Sequence, residues 1–169
     1  MTAAPTPQQF PAWLAQHRGI LHKVARAYCR DEDDRQDLLQ EMLLRLWQAL
    51  PRYNPAQAAA STWVYRVALN TAISFYRQHA ARHAARAPLP AEVPQPPEAE
   101  APEREQQLRQ LEQFIDELRE LDKALMLLYL ESKSHADIAD ILGISVSNVA
   151  TKVSRIKEHL RQRFARQPA

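Results

Sequence analysis

Five side chains near the C-terminal end, Ser147, Asn148, Thr151, Lys152 and Arg155, recur at helical spacing and could share one face of a helix. They are hydroxyls, an amide and cations, the groups that donate to and accept from base edges and phosphates in a DNA major groove. A second set, Trp63, Arg66, Asn70, Ile73, Ser74 and Arg77, follows helical spacing in "STWVYRVALNTAISFYRQHAAR". Aromatic, amide and guanidinium groups interleaved in this way suit unpaired bases: rings stack, amides hydrogen-bond and arginines neutralise the backbone. The competing reading makes Trp63 and Tyr76 core aromatics and the arginines solubilising groups. A third set is not polar throughout. In "DLLQEMLLRLWQAL", Asp37, Gln40, Glu41, Arg45 and Gln48 share an arc with Leu44, while Leu38, Leu39, Met42, Leu43, Leu46, Trp47 and Leu50 make an apolar stripe. Leu44 among acids and amides fits a protein docking site and equally fits a single surface leucine.

The elements that position these groups are helices. The 169 residues include only two glycines, and their apolar positions repeat at three- and four-residue spacing. An all-α fold is expected, with helices near 8–30, 34–50, 62–79, 104–119, 121–131, 134–142 and 146–164. Between the two halves, "APLPAEVPQPPEAEAPE" holds six of the twelve prolines and no aromatic residue, so it can neither continue a helix nor build a core. The sequence therefore divides into a helical domain 1–86, an acidic proline-rich linker 87–103 and a second helical domain 104–169. Ser134 reads as an N-cap and Gly143 as a residue able to take positive φ and stop a helix. Ser145 then caps a helix with a Val149, Val153, Ile156, Leu160 stripe, and Ala139 permits close approach. Helix, glycine turn and helix form a helix-turn-helix pattern.

Charge is segregated. Basic and acidic residues number four and none in 1–30, three and six in 31–60, four and none in 61–91, three and ten in 92–122, and seven and three in 132–169. Separate basic blocks suggest two polyanion-facing surfaces, a net charge of +2 notwithstanding. Cys29, the single cysteine, excludes an internal disulfide and a cysteine zinc site. His79 and His83 lack an acid or cysteine to complete a metal site, and Arg82 and Arg86 surround them, so no metal or cofactor is expected. No glycine-rich phosphate loop, carboxylate pair or nucleophile constellation is evident, which argues against an enzyme. Without a signal-peptide core or an apolar run approaching a membrane span, the expected location is the cytoplasm.

Together the three motifs resemble a bacterial RNA polymerase sigma factor of the extracytoplasmic-function type, group IV of the sigma-70 family. "DLLQEMLLRLWQAL" resembles its core-binding helix, "STWVYRVALNTAISFYR" its promoter-melting and minus-10 helix, and "HADIADILGISVSNVATKVSRIKEHL" its minus-35 helix-turn-helix. The resemblance implies that Asp37, Gln40, Glu41 and Leu44 dock on the polymerase β′ clamp helices, with the β subunit a further contact. It implies that Trp63, Arg66, Asn70 and Arg77 serve the minus-10 element, with loop 52–61 capturing a flipped base, and that Ser147, Asn148, Thr151, Lys152 and Arg155 serve the minus-35 element. The linker would thread near the RNA exit path, and an anti-sigma factor is a partner implied by the resemblance alone. Ala150 stands where many members carry a basic residue, so the promoter sequence is not implied. Two other classes remain on the residues alone. A stand-alone helix-turn-helix regulator would bind duplex without polymerase, and a helical adaptor would show no salt-dependent DNA affinity.

Overall fold

A computed structural model of the chain describes residues 4–85 and 103–165, with side chains given for 4–80 and 104–165. Among these residues every regular element is a helix, as expected for an all-α chain. The expected linker falls outside them except for Glu103, as does the side chain of His83.

The N-terminal helices are α1 (Phe10–Ala15), α2 (Arg18–Tyr28), α3 (Glu32–Ala49) and α4 (Ala60–Ala85), with a 3-10 turn at Leu50–Arg52 after α3. The single helix expected over 8–30 is broken. The amides of Gln16 and His17 bond back three residues to Trp13 and Leu14, tightening the chain, and His17 sits at φ −113°. The break tilts α1 so that Phe10 meets Trp47 at 5.3 Å and Trp13 meets Trp63 at 5.9 Å between ring centroids. Asp31 caps α3 by accepting from the amides of Asp33 and Asp34. Arg35 then turns back to donate to the carbonyls of Cys29 and Arg30, satisfying acceptors that the end of α2 leaves open. Leu38, Met42 and Leu46 of α3, Val24 of α2, and Val64, Ala68 and Ala72 of α4 are all fully buried between these helices.

The C-terminal helices are α5 (Glu103–Glu117), α6 (Glu120–Leu130), α7 (His135–Leu142) and α8 (Val146–Ala165). Ser134 and Asp137 form the reciprocal capping box that opens α7. Gly143 closes it at φ 68°, and the amides of Gly143 and Ile144 both bond to the Ala139 carbonyl. A Cβ at Gly143 would meet nothing within 4 Å, so the glycine is required by its backbone angle rather than by space. Ser132, just after α6, adopts φ 58° without being glycine. Lys133 N–H bonds to Leu128 C=O across it, so the same left-handed stop recurs there with a side chain that strains it.

The two helix groups pack on each other. Tyr28 on α2 donates to the Glu120 carbonyl at 2.6 Å, and the Lys123 side chain of α6 is buried at the seam. Its ammonium lies 5.6 Å and 5.7 Å from the ring centroids of Tyr28 and Tyr76, with Asp116 at 3.7 Å. Burial pushes its pKa below the usual lysine value, against the pull of Asp116.

Replacing Ser132 by Gly should raise unfolding stability by about 0.5–1 kcal/mol, and Gly143→Ala should lower it by about 1 kcal/mol or more. Thermal unfolding followed by circular dichroism checks both; a destabilised Ser132→Gly protein would contradict the strain assigned to that turn.

Candidate nucleic-acid and polymerase surfaces

On α8, Ser147, Asn148, Thr151 and Arg155 are exposed on one side, and Val149, Val153 and Ile156 are buried on the other. Ser145 accepts from the Asn148 amide at 3.1 Å, and this cap fixes where α8 begins and hence which side chains reach its outer face. Thr151 spends its hydroxyl proton on the Ser147 carbonyl at 2.9 Å, leaving oxygen lone pairs outward. Lys152 differs from its neighbours. Half-buried, it pairs with Asp122 of α6 at 2.8 Å, so in this arrangement it ties α8 to its support.

On α3, Asp37, Gln40 and Leu44 are exposed and Glu41 is half-buried, bonded to Arg45 one turn on at 2.8 Å. The buried stripe is narrower than the sequence suggests. Leu43 and Trp47, expected inside, are 36% and 46% exposed, and Leu44 is 49% exposed. α2 and α4 cover only the Leu38–Met42–Leu46 side of the helix, so residues farther round it stay in water. Leu43, Leu44 and Trp47, at i, i+1 and i+4, form one apolar patch with Gln40 one turn before it and Asp37 and Glu41 along its edge. The sequence signal was there: the apolar arc of 37–50 is wider than a helix lying on one layer can bury.

On α4, Asn70 and Arg77 are exposed and Arg66 is half-buried. Trp63 corrects the expectation of a stacking platform. It is 8% exposed, with its ring 4.8 Å from that of Tyr53 and 5.9 Å from that of Trp13, so its aromatic face is spent on the core. Tyr76, whose role was open between core and surface, is 38% exposed. The loop before α4 is set by Asn54, which accepts from the Ala56 amide at 2.9 Å in an Asx turn.

Arg66 and Arg77 are already engaged. Arg66 meets Asp140 of α7, 3.0 Å from its carboxylate and 3.0 Å from its carbonyl, and Arg77 meets Glu120 of α6 at 3.3 Å. Elsewhere along the seam Lys23 pairs with Glu131 at 2.6 Å, and Arg30 pairs with Asp116. In all four pairs the cation comes from the N-terminal half and the acid from the C-terminal half. Sequence reasoning registered the charge blocks but assigned their partners outside the chain. These acids were the residues it missed: Asp116 and Glu120 fall in the acidic block 92–122, whereas Glu131 and Asp140 lie outside it.

Cys29 is buried, and burial with Asp34 nearby pushes its thiol up to about 11, which keeps it protonated and a poor nucleophile. No group of three or more metal-ligating side chains occurs among the described residues, where His79 stacks on Phe75 and faces Asp34 at 3.5 Å. No helix among the described residues is long and apolar enough to cross a membrane.

Residues 13–82 match the family model for sigma-70 region 2, and residues 108–160 match that for sigma-70 region 4. The RNA polymerase sigma-H factor of Pseudomonas aeruginosa is 30% identical over 158 residues, covering 85% of this chain and 78% of that protein. The chain belongs to the extracytoplasmic-function group of the sigma-70 family. As a sigma factor it is a promoter-directing transcription-initiation factor. The ECF RNA polymerase sigma factor SigE of Mycolicibacterium smegmatis is 24% identical over 165 residues; the match covers 92% of this chain and 63% of that protein's length. The fold is likewise that of the sigma factor RpoE solved in complex with the anti-sigma factor NepR from Bartonella quintana. The TM-score is 0.68 at 18% identity, covering 95% of this chain and 99% of that one. In this sigma factor, α3 and most of α4 fall within region 2, and α7 with most of α8 within region 4.

Placing Trp63 in the core has a measurable consequence. Trp63→Ala should cost about 3–5 kcal/mol of stability, whereas Trp63→Phe keeps most of it. Denaturant unfolding checks this, and a Trp63→Ala protein of near wild-type stability would return the ring to the surface.

Proposed function

We propose that this sigma factor docks on core RNA polymerase through the α3 strip, engages the unwound minus-10 element through α4, and reads the minus-35 element through α8. The observation that carries the docking assignment is the exposed Leu43, Leu44 and Trp47 strip bordered by Asp37, Gln40 and Glu41. An apolar centre with an acidic and amide rim suits a basic-rimmed protein partner, and the β′ clamp helices are that partner in the family the chain belongs to. Contact with the β subunit and capture by an anti-sigma factor are further parts of the same reading.

Arg66 and Arg77 bind phosphates of the non-template strand, Asn70 hydrogen-bonds to a base, and loop 52–61 holds a base that has left the stack. Trp63 acts here by holding Tyr53 and the loop from below. Ser147, Asn148, Thr151 and Arg155 contact the upstream duplex, and Lys152 joins them on exchanging Asp122 for a phosphate. The protein acts by binding alone, in the cytoplasm, where its polymerase works. The units responsible are a region 2 domain over 1–86 and a region 4 domain over 104–169, joined by the segment 87–103.

Core polymerase pull-down tests the docking surface. Leu44→Ala/Glu41→Ala should abolish stoichiometric capture, with folding verified by circular dichroism, and full capture by that variant would reject the surface. Asn148→Ala and Arg155→Ala should each weaken minus-35 duplex binding by about 1–3 kcal/mol. Footprinting on promoters mapped with the wild-type holoenzyme measures it, and unchanged binding in both would remove α8's outer face from the reading.

A further inference from the structure

Of the Lys and Arg residues on α8, only Arg155 has no partner among the described residues. Both lysines of α8 are held by α6, a helix of the same C-terminal group. Lys152 meets Asp122 in the first turn of α6 at 2.8 Å. Lys157 lies 3.3 Å from the hydroxyl of Tyr129 in the last turn and 5.5 Å from its ring centroid. The Lys152 and Asp122 side chains are 28% and 24% exposed, so water and salt screen them less than the Arg161 and Glu158 pair on α8, exposed at 70% and 58%. As a helix, α6 gains from an acid in its first turn, and Glu120 already meets that demand. What Asp122 adds is the hold on Lys152.

We propose that Asp122 is a positioning residue that acts through Lys152, subtracting one cation from the contact of α8 with duplex DNA and leaving Arg155 as the uncompensated charge of the reading face. The inference rests on the reading of α8 as the duplex-contacting helix. A lysine ammonium is a point charge on a flexible stem, so Lys152 can swing from carboxylate to phosphate without moving α8. The exchange gains little. Lys152 releases a counterion from the duplex on reaching a phosphate, and Asp122 takes one up on losing its lysine, so net release is close to zero. Phosphate attraction, which carries no sequence information, is thereby lowered on the helix whose outer face holds Ser147, Asn148 and Thr151. Binding there then depends more heavily on the groups that meet base edges.

The test uses the full chain and fluorescence anisotropy with a labelled mixed-sequence duplex of about 30 base pairs, titrated from about 50 to 300 mM KCl. The nearly isosteric Asp122→Asn, its folding verified by circular dichroism, should bind about fivefold more tightly at about 100 mM KCl. It should also steepen the slope of log affinity against log salt by about 0.9. Asp122→Glu, which keeps the charge, should keep the wild-type slope. In a Lys152→Gln background, Asp122→Asn should add nothing, and Glu112→Gln, which removes an equal charge from α5, should change affinity less than about twofold. Arg155→Ala reports on α8 itself and should flatten the slope by about 0.9. An unchanged slope in Asp122→Asn, a gain that persists without Lys152, or an equal gain in Glu112→Gln refutes the role of Asp122; if Arg155→Ala still flattens the slope, the α8 reading stands. If Arg155→Ala leaves the slope unchanged, the α8 reading has failed and the role of Asp122 falls with it.

Discussion

The arrangement turns on one buried ammonium. Lys123 projects from α6 into the seam between the two helix groups, where it has lost its water and lies near the rings of Tyr28 and Tyr76 and the carboxylate of Asp116. Its countercharge, Asp116, comes from its own helix group, while the two rings that cover the ammonium belong to the N-terminal helices and are present only when the groups are packed together. Around it stand four ion pairs of one polarity, basic from the N-terminal side and acidic from the C-terminal side. Exposed pairs of this kind contribute only about 0.2–1 kcal/mol each. They set the register and orientation of the groups, and the aromatic rings and the Tyr28 hydrogen bond to Glu120 supply the less solvated part of the contact.

That division of labour matters for a transcription-initiation factor, because the three surfaces proposed for it are not equally available. The apolar strip of α3 is partly exposed, with Trp47 also meeting Phe10 edge-on. The outer face of α8 is exposed apart from Lys152, which holds Asp122. On α4, Arg66 and Arg77 meet carboxylates of the C-terminal helices while Asn70 stays exposed.

Local chemistry made much of the helical plan legible from residue order. The Ser134 and Asp137 capping box, the glycine stop at Gly143 and the Ser145 cap depend on residues within a few positions of one another, so α7 and α8 start and end where their residue types require. The break at Gln16–His17 was not legible, because nothing local demands it. It arises from Phe10 and Trp13 reaching Trp47 and Trp63, rings far along the chain. Of the candidate surfaces, the exposed face of α8 was legible from periodicity, which assigns sides to a helix packed on one neighbour.

What the sequence by itself determined, then, is the set of helices, their caps, the helix-turn-helix and the segregation of charge into blocks, all properties of spacing and residue type. Only the tertiary structure decided which residues share an environment. It put Trp63 inside with Tyr53 and Trp13, left Leu43 and Trp47 partly outside, and turned Arg66 and Arg77 toward Asp140 and Glu120. The physical reason is that periodicity gives the direction of a side chain around its own axis but not the width of the surface that covers it. Nor does a run of like charge carry the identity of its counter-charge, which here comes from 43 and 74 residues farther along the same chain.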